Sequence, residues 1–261
     1  MSDLTHLRVE WDGDLAVVTI DRQEKLNALN AEVMRELGEV MEQLRDDSHV
    51  RGVVLTGAGE KAFVAGADIG ELSRMDPVGG MTLSRRGQDL FLAIERFPKP
   101  VLAAVGGFAL GGGCELALAC HLRVASDNAR FGLPEVSLGI LPGYGGTVRL
   151  ARLVGLGRAI EITLTADPVA AARALEIGLV SAVVPRAELL GRAKELLRRI
   201  TRNGPLAVRL ALESIYGALD STTAAAMDHE AALFGLLAST ADMREGLGAF
   251  LEKRKPGFTG R

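Results

Sequence analysis

The chain has 261 residues, 48% of them hydrophobic and 24% charged, with a formal net charge of -3. That length and balance suit one large globular domain, or a core with an appended subdomain, and argue against a general nucleic-acid binder. The two cysteines, Cys114 and Cys120, fall in one predicted helix. Six residues of helix separate their Cα atoms by about 9 Å, beyond disulfide reach. Free thiols fit a reducing compartment, and Met1 to His6 shows no basic segment followed by an apolar one, so the expectation is cytoplasmic.

In chain order, Leu7 to Trp11 and Leu15 to Ile20 read as a hairpin around Asp12-Gly13-Asp14. Asn30 is placed to cap a helix whose Val33, Met34, Leu37, Val40, Met41 and Leu44 keep helical spacing. Val50 to Thr56 reads as a strand, followed by a glycine-rich loop from Gly57 to Gly70. Glu71 to Gly87 looks mobile, with a helix expected only from about Arg86 to Phe97. Val101 to Val105 is a strand, and Gly106 to Gly113 carries five glycines before the helix-forming run that follows Glu115. Strands are expected at Leu122 to Ser126, Arg130 to Gly132 and Val180 to Val184. A third glycine-rich loop, Gly139 to Gly146, opens a helix at Thr147, and Asp167-Pro168 reads as the start of another that ends at Gly178. From Pro185 the signals are helical: Ala187 to Arg202, Pro205 to Leu219, Thr222 to Leu237 and Thr240 to Lys255. The pattern predicts a mixed α/β core over 1–190 and a helical region over 191–261, packing on the core and on neighbouring subunits.

Val101 to Cys120 has the length of a membrane span, but three adjacent glycines and a central glutamate favour a buried strand, turn and helix. The sequence contains no P-loop and no nucleophile elbow, and Gly143-Tyr144-Gly145-Gly146 is half a dinucleotide fingerprint with Val148 at the third glycine's place. The four histidines are scattered without ligand spacing, so no metal is expected. What remains are Glu115 and Glu135, each in apolar sequence beside glycine or proline. Dry surroundings raise a carboxylate's pKa towards the range useful for proton transfer, and a pair can divide acid and base roles. The bland alternatives are a first-turn helix acid for Glu115 and, for Glu135, a loop acid paired with an arginine such as Arg149.

Read together, the loops resemble the enoyl-CoA hydratase/isomerase (crotonase) family. The matching stretches are Arg22-Gln23-Glu24-Lys25-Leu26-Asn27-Ala28-Leu29, Lys61 to Ile69, Gly106 to Ala117, Phe131-Gly132-Leu133-Pro134-Glu135 and Pro142-Gly143-Tyr144-Gly145-Gly146-Thr147. Glu245-Gly246 and the tail Phe250 to Lys255 continue the match. The resemblance implies a spiral of ββα units with a helical C-terminal trimerisation region, assembled as a homotrimer or a dimer of trimers. It implies an acyl-CoA thioester substrate and no cofactor, coenzyme A being part of the substrate. It also implies an oxyanion hole from the backbone N–H groups of Ala67 and Gly112, with Glu115 and Glu135 as catalytic acids. Ala65, Ala67, Asp68, Ile69, Gly111, Pro134, Gly143 and Lys25 would contact the substrate. Phe250 and Lys253 would lie near the CoA nucleotide of an adjacent subunit. Both acids together favour hydration of a 2-trans-enoyl-CoA. The alternatives are a Δ3,Δ2-enoyl-CoA isomerase using Glu135 alone, another acyl-CoA lyase of the family, or an idle homologue acting as scaffold or RNA binder. His121 and Tyr144 depart from the family's usual aspartate and small residue, and a packing role is the preferred reading of both.

Overall fold

The computed structural model describes residues 4–73 and 75–261, so Met1–Asp3 of the leader reading and Arg74 of the Glu71–Gly87 segment lie outside the described residues. β1 (Leu7–Asp12) and β2 (Leu15–Ile20) form the expected antiparallel hairpin. Asn30 caps α1 (Ala31–Asp46), its side chain accepting from the Val33 N–H at 2.8 Å, and Val33, Leu37, Val40, Met41 and Leu44 are buried. β3 (Gly52–Gly57), β4 (Ala62–Val64) and a single turn of helix, α2 (Ile69–Leu72), follow.

The next helix corrects the sequence reading. α3 (Pro77–Glu95) begins at Pro77 rather than near Arg86. Asp76 accepts from the Gly79 N–H at 2.6 Å, and Pro77 needs no hydrogen-bond donor in the first turn, so capping outweighs the cost of Gly79 and Gly80. β5 (Val101–Val105) leads to an unforeseen strand inside the glycine stretch, β6 (Phe108–Leu110), before α4 (Gly112–Ala119). β7 (Leu122–Ser126) and β8 (Arg130–Gly132) match expectation, and a 3-10 turn over Pro134–Leu138 precedes α5 (Gly146–Val154) and α6 (Leu156–Thr165). Asp167-Pro168 does not open a helix. The chain stays extended through β9 (Val169–Ala170) to pair antiparallel with β8, and α7 (Ala171–Glu176) starts beyond it. Gly178, at φ +76°, ends that helix as read. After β10 (Ala182–Val184) come α8 (Leu189–Thr201), α9 (Pro205–Leu219), α10 (Thr223–Leu237) and α11 (Ala241–Leu251), the last stopping short of Lys255.

The strands sort into two sheets, β1-β2-β3-β5-β7-β10 and β4-β6-β8-β9. The chain alternates between them: β3 then β4, β5 then β6, β7 then β8, with helices after each pair. That is a spiral of ββα turns, parallel except at β1–β2 and β8–β9. Strands buried on both faces alternate between two cores. Ala16, Val18 and Ile20 of β2 join the main core shared by both sheets, α1, α3 and α4. Leu15 and Val17 face a second cluster closed by Leu189, Ala193 and Leu197 of α8. Among the described residues, no helix is long and apolar enough to cross a membrane.

Candidate active site

The site grows from the start of α4, where all eight residues are buried. Gly111 takes φ +51°, and its N–H donates to the Gly132 carbonyl at 2.9 Å, fixing the turn against β8. A side chain at Gly113 would stand 2.0 Å from the Val64 carbonyl oxygen, so glycine lets the helix start press onto β4. Gly112 is the first residue of the helix, where an N–H has no intrahelical partner and the dipole is positive. At the far end, the Arg123 guanidinium donates to the carbonyls of Ala117 and Cys120, a cation on the helix's negative pole.

The second donor comes from an isolated parallel bridge between Leu29 and Ala67. Leu29 donates to the Gly66 carbonyl and accepts from the Asp68 N–H, both at 2.8 Å. In a parallel bridge the residue between those two groups turns its own N–H the other way, so that of Ala67 faces away from Leu29. Asn27 ties the turn before Leu29 to β4 and the end of β3. Buried and at φ +59°, it donates to the carbonyls of Ala58 and Ala62 and accepts from the Arg22 N–H. Sequence reasoning quoted Asn27 within a motif and missed this role; its position in the left-handed region, which Asn tolerates, is visible only in three dimensions.

Ala67 and Gly112 line one cavity of about 450 Å³ together with Ala65, Ile69, Gly111, Glu115, Pro134, Glu135 and Gly143. The structure therefore gathers nine of the eleven residues assigned to catalysis, the oxyanion hole or contact with the substrate. It does not bring in the other two. Asp68 caps α2 through the Gly70 N–H and pairs with Arg22 at 2.9 Å, which holds its carboxyl below the usual range. Lys25 is exposed on a 3-10 turn outside the cavity. The lining also includes Leu72, Met75, Leu83, Leu138, Ile140, Leu141 and Tyr144. The exposed apolar run Leu138 to Leu141 was the available signal for part of this wall, since loops seldom display such residues without use.

The two acids differ in setting. Glu115 is 1% exposed, and one carboxylate oxygen accepts from the backbone N–H groups of Tyr144 (2.8 Å) and Gly146 (2.7 Å). Those donors open α5, so the Gly143–Gly146 loop works as a clamp. A side chain at Gly146 would stand 2.9 Å from Glu115. Burial pushes the Glu115 carboxyl up to about 7, aided by the charge of Glu135 and opposed by the two N–H groups. Glu135 opens the 3-10 turn beside Gly111 and is pushed upward by burial as well, and its Oε2 is buried without a hydrogen-bond partner. An orphaned carboxylate oxygen at an apolar cavity is costly to keep and marks a group aimed at a ligand. The alternative pairing of Glu135 with Arg149 does not occur, because Arg149 binds Glu95 at 2.5 Å.

The two departures resolve as contacts. His121 accepts from the Val101 N–H at 2.9 Å and faces the Glu95 carbonyl at 3.1 Å, which fixes a neutral ring with its proton on Nε2; burial pulls its pKa down to about 4. Tyr144 is 6% exposed and stands edge-on to Phe91, with ring centroids 5.5 Å apart. Its ring fills the space where a side chain on Gly87 would be, and it passes beside Gly112.

This arrangement offers two backbone donors, a clamped acid and a free acid around one apolar pocket. A family model described as enoyl-CoA hydratase/isomerase matches residues 10–261. The short-chain-enoyl-CoA hydratase of Clostridium acetobutylicum is 47% identical over 99% of this chain and all of its own. The crotonyl-CoA hydratase of Syntrophomonas wolfei is 46% identical over 96% of each. The crystal structure of an enoyl-CoA hydratase from Bacillus anthracis superposes with a TM-score of 0.95 at 39% identity, covering 98% of this chain and all of that one. The ββα spiral, the loops that build the pocket and these full-length matches agree: the chain belongs to the enoyl-CoA hydratase/isomerase family.

Proposed function

We propose that this enzyme is a hydro-lyase that adds water reversibly across the C2=C3 bond of a 2-trans-enoyl-CoA, giving a 3-hydroxyacyl-CoA. The thioester carbonyl oxygen sits between the N–H groups of Ala67 and Gly112. As water attacks C3, negative charge moves to that oxygen, and fixed donors favour the charged state over the neutral one. Losing one such donor costs about 3 kcal/mol in comparable sites. Glu115, ionised, takes a proton from the attacking water; Glu135, protonated, gives one to C2 from the same face. One proton is gained and one given, so returning it from Glu115 to Glu135 resets the pair. The acids and donors supply every charge this addition needs, so the reading calls for no cofactor beyond the coenzyme A of the substrate.

The observation that carries this reading is the clamp on Glu115. An isomerase needs only the acid that moves a proton between carbons, whereas here a second carboxylate is buried, oriented by two N–H groups and held with a raised pKa. Replacing Glu115 by Gln abolishes hydration of crotonyl-CoA, followed as loss of enoyl-thioester absorbance. Near-wild-type hydration by that variant sinks the two-acid mechanism, and isomerisation of a 3-enoyl-CoA by the wild-type protein without any water addition decides for the isomerase.

The two charged residues lining the cavity among those described are both acids, so an apolar acyl group fits better than one ending in a carboxylate. Tyr144 beside Gly112 favours a short one. Exposed Ile215, Phe234, Leu236, Leu247, Phe250 and Leu251 on α9 to α11 support self-association as a homotrimer or dimer of trimers, which sedimentation tests directly. The two buried free thiols support a cytoplasmic setting.

A further inference from the structure

The clamp on Glu115 is itself held by α3. Five residues of α3 fall on one helical face: Ser84, Gly87, Gln88, Phe91 and Glu95. The first four meet the loop that ends in α5, and Glu95 meets α5 itself. Ser84 Oγ and Gln88 Nε2 donate to the Gly143 carbonyl at 2.6 and 2.9 Å, and Gly87 and Phe91 seat the Tyr144 ring. Glu95 reaches further. Its carboxylate accepts from Arg149 Nε at 2.5 Å, while Arg149 Nη1 donates to the Tyr144 carbonyl at 2.8 Å. Tyr144 in turn gives its N–H to Glu115. Both members of the ion pair are largely buried, with side chains 14% and 12% exposed, and His121 faces the Glu95 carbonyl from behind.

We propose that Glu95 and Arg149 are positioning residues for the reaction, a buried ion pair that sets the orientation of Glu115 through the backbone of Tyr144. It rests on the reading of Glu115 as the water-activating acid. The planar guanidinium has the two-pronged reach to hold a carboxylate with one edge and a carbonyl with another; an ammonium group in its place is a point charge. Neither Glu95 nor Arg149 lines the cavity, and neither bonds to Glu115 directly. The effect of the ion pair travels through the two peptide units that meet at Tyr144: Arg149 pins the carbonyl that follows the Tyr144 Cα, and the unit before it, whose Gly143 carbonyl is held by Ser84 and Gln88, gives its N–H to the carboxylate.

Glu115 is also faced by Glu135 from the 3-10 turn, by its neighbour Cys114 and by the Tyr144 ring. Burial raises the Cys114 thiol and the Tyr144 phenol, so both stay neutral, and Glu135 keeps its place when Arg149 is changed. Loss of the Tyr144 N–H bond and loss of a nearby cation both disfavour the carboxylate, so both move Glu115 upward from about 7.

The test uses the full-length protein with glutamate labelled by carbon-13 at the carboxyl, the Glu115 signal being assigned by its absence in Glu115→Gln. In Arg149→Lys, which keeps the charge, and in Arg149→Met, Glu115 titrates about half a pH unit or more above the wild type. Hydration of crotonyl-CoA loses tenfold or more in kcat, with KM within twofold. Glu95→Gln, which leaves an amide oxygen to accept from Arg149, loses severalfold in kcat at unchanged KM and keeps the proposal testable if the Arg149 variants do not fold. The proposal is overturned by a Glu115 titration unmoved in both Arg149 variants, or by a kcat within twofold of wild type in Glu95→Gln. A wild-type protein that hydrates no enoyl-CoA sinks the hydratase reading, and the Glu115 titration then still decides the positioning claim.

Discussion

On one side of the cavity, Gly112, Gly113 and Glu115 sit in a helix with every residue buried, pressed onto β4 and tied to the loop that opens α5. On the other side, Ile69, Met75, Leu138, Ile140 and Leu141 are apolar and exposed, carried by α2, the link between α2 and α3, and the turn and loop after Glu135. The floor is dense, hydrogen-bonded and built on backbone groups; the rim is side chains on short elements. Dense packing fixes geometry to fractions of an ångström, which proton transfer and charge stabilisation need. Apolar side chains on short elements can be exchanged without disturbing that geometry. Chemistry and substrate preference are thereby assigned to different walls of one pocket.

The comparison breaks most severely at the floor. Glu135→Gln keeps the shape of the side chain and removes its proton transfer, so kcat for crotonyl-CoA hydration falls by about 10²- to 10⁴-fold while the melting temperature holds or rises. A variant retaining most of its activity would mean that Glu135 is not the proton donor to C2. The pH profile tests the same wall. Glu115 must be ionised to accept a proton from water and its pKa is raised to about 7, so kcat/KM falls as pH drops through that value. Glu135 must be protonated and is raised too, which keeps it competent above the ordinary carboxylate range. The limbs belong to the pair rather than to either residue. An acid limb near pH 4.5, the ordinary value, would remove the argument from burial.

A smaller effect is expected at Tyr144, where floor and rim meet. Tyr144→Ala opens the space between Gly87 and Gly112 and shifts the ratio of kcat/KM for decenoyl-CoA over crotonyl-CoA by about tenfold towards the longer chain. A ratio unchanged across four to ten carbons would show that the acyl chain leaves the pocket elsewhere. The smallest effect lies under the rim. Asp76→Ala removes the cap of α3 and costs about 1 kcal/mol of stability, read from denaturant midpoints, with kcat unchanged. A drop in kcat would mean that the start of α3 belongs to the floor.

Where the sequence was read correctly, the determining contacts are local. Asn30 and its Val33 partner are three residues apart, the hairpin turns on two residues, and α9 runs from Pro205 to Leu219 as read. The misreadings have long-range causes or hidden caps. β6 is three residues long and exists because β4 and β8 flank it, neither of which its own composition reports. Val169 and Ala170 are extended because β8 is there to pair with, and that overrides a good capping pair. For the site, the family motifs brought Glu115, Glu135, Ala67 and Gly112 to one cavity, while Asp68 turned out to be engaged by Arg22. The Glu95, Arg149 and Tyr144 connection spans 54 residues and has no sequence signature at all.

The Leu29–Ala67 bridge sets which changes the site tolerates. Its donor is chosen by register: neighbouring residues in extended backbone face opposite ways, so the N–H of Ala67 meets the cavity while those of its neighbours do not. Exchanging the side chain at position 67 leaves the donor in place. Inserting or deleting a single residue between Leu29's two partners presents the wrong peptide edge, with composition barely altered. Position 67 is thus tolerant of substitution while the loop is intolerant of any change in length, and deletion of Ala67 should silence the enzyme more completely than any replacement there that still folds.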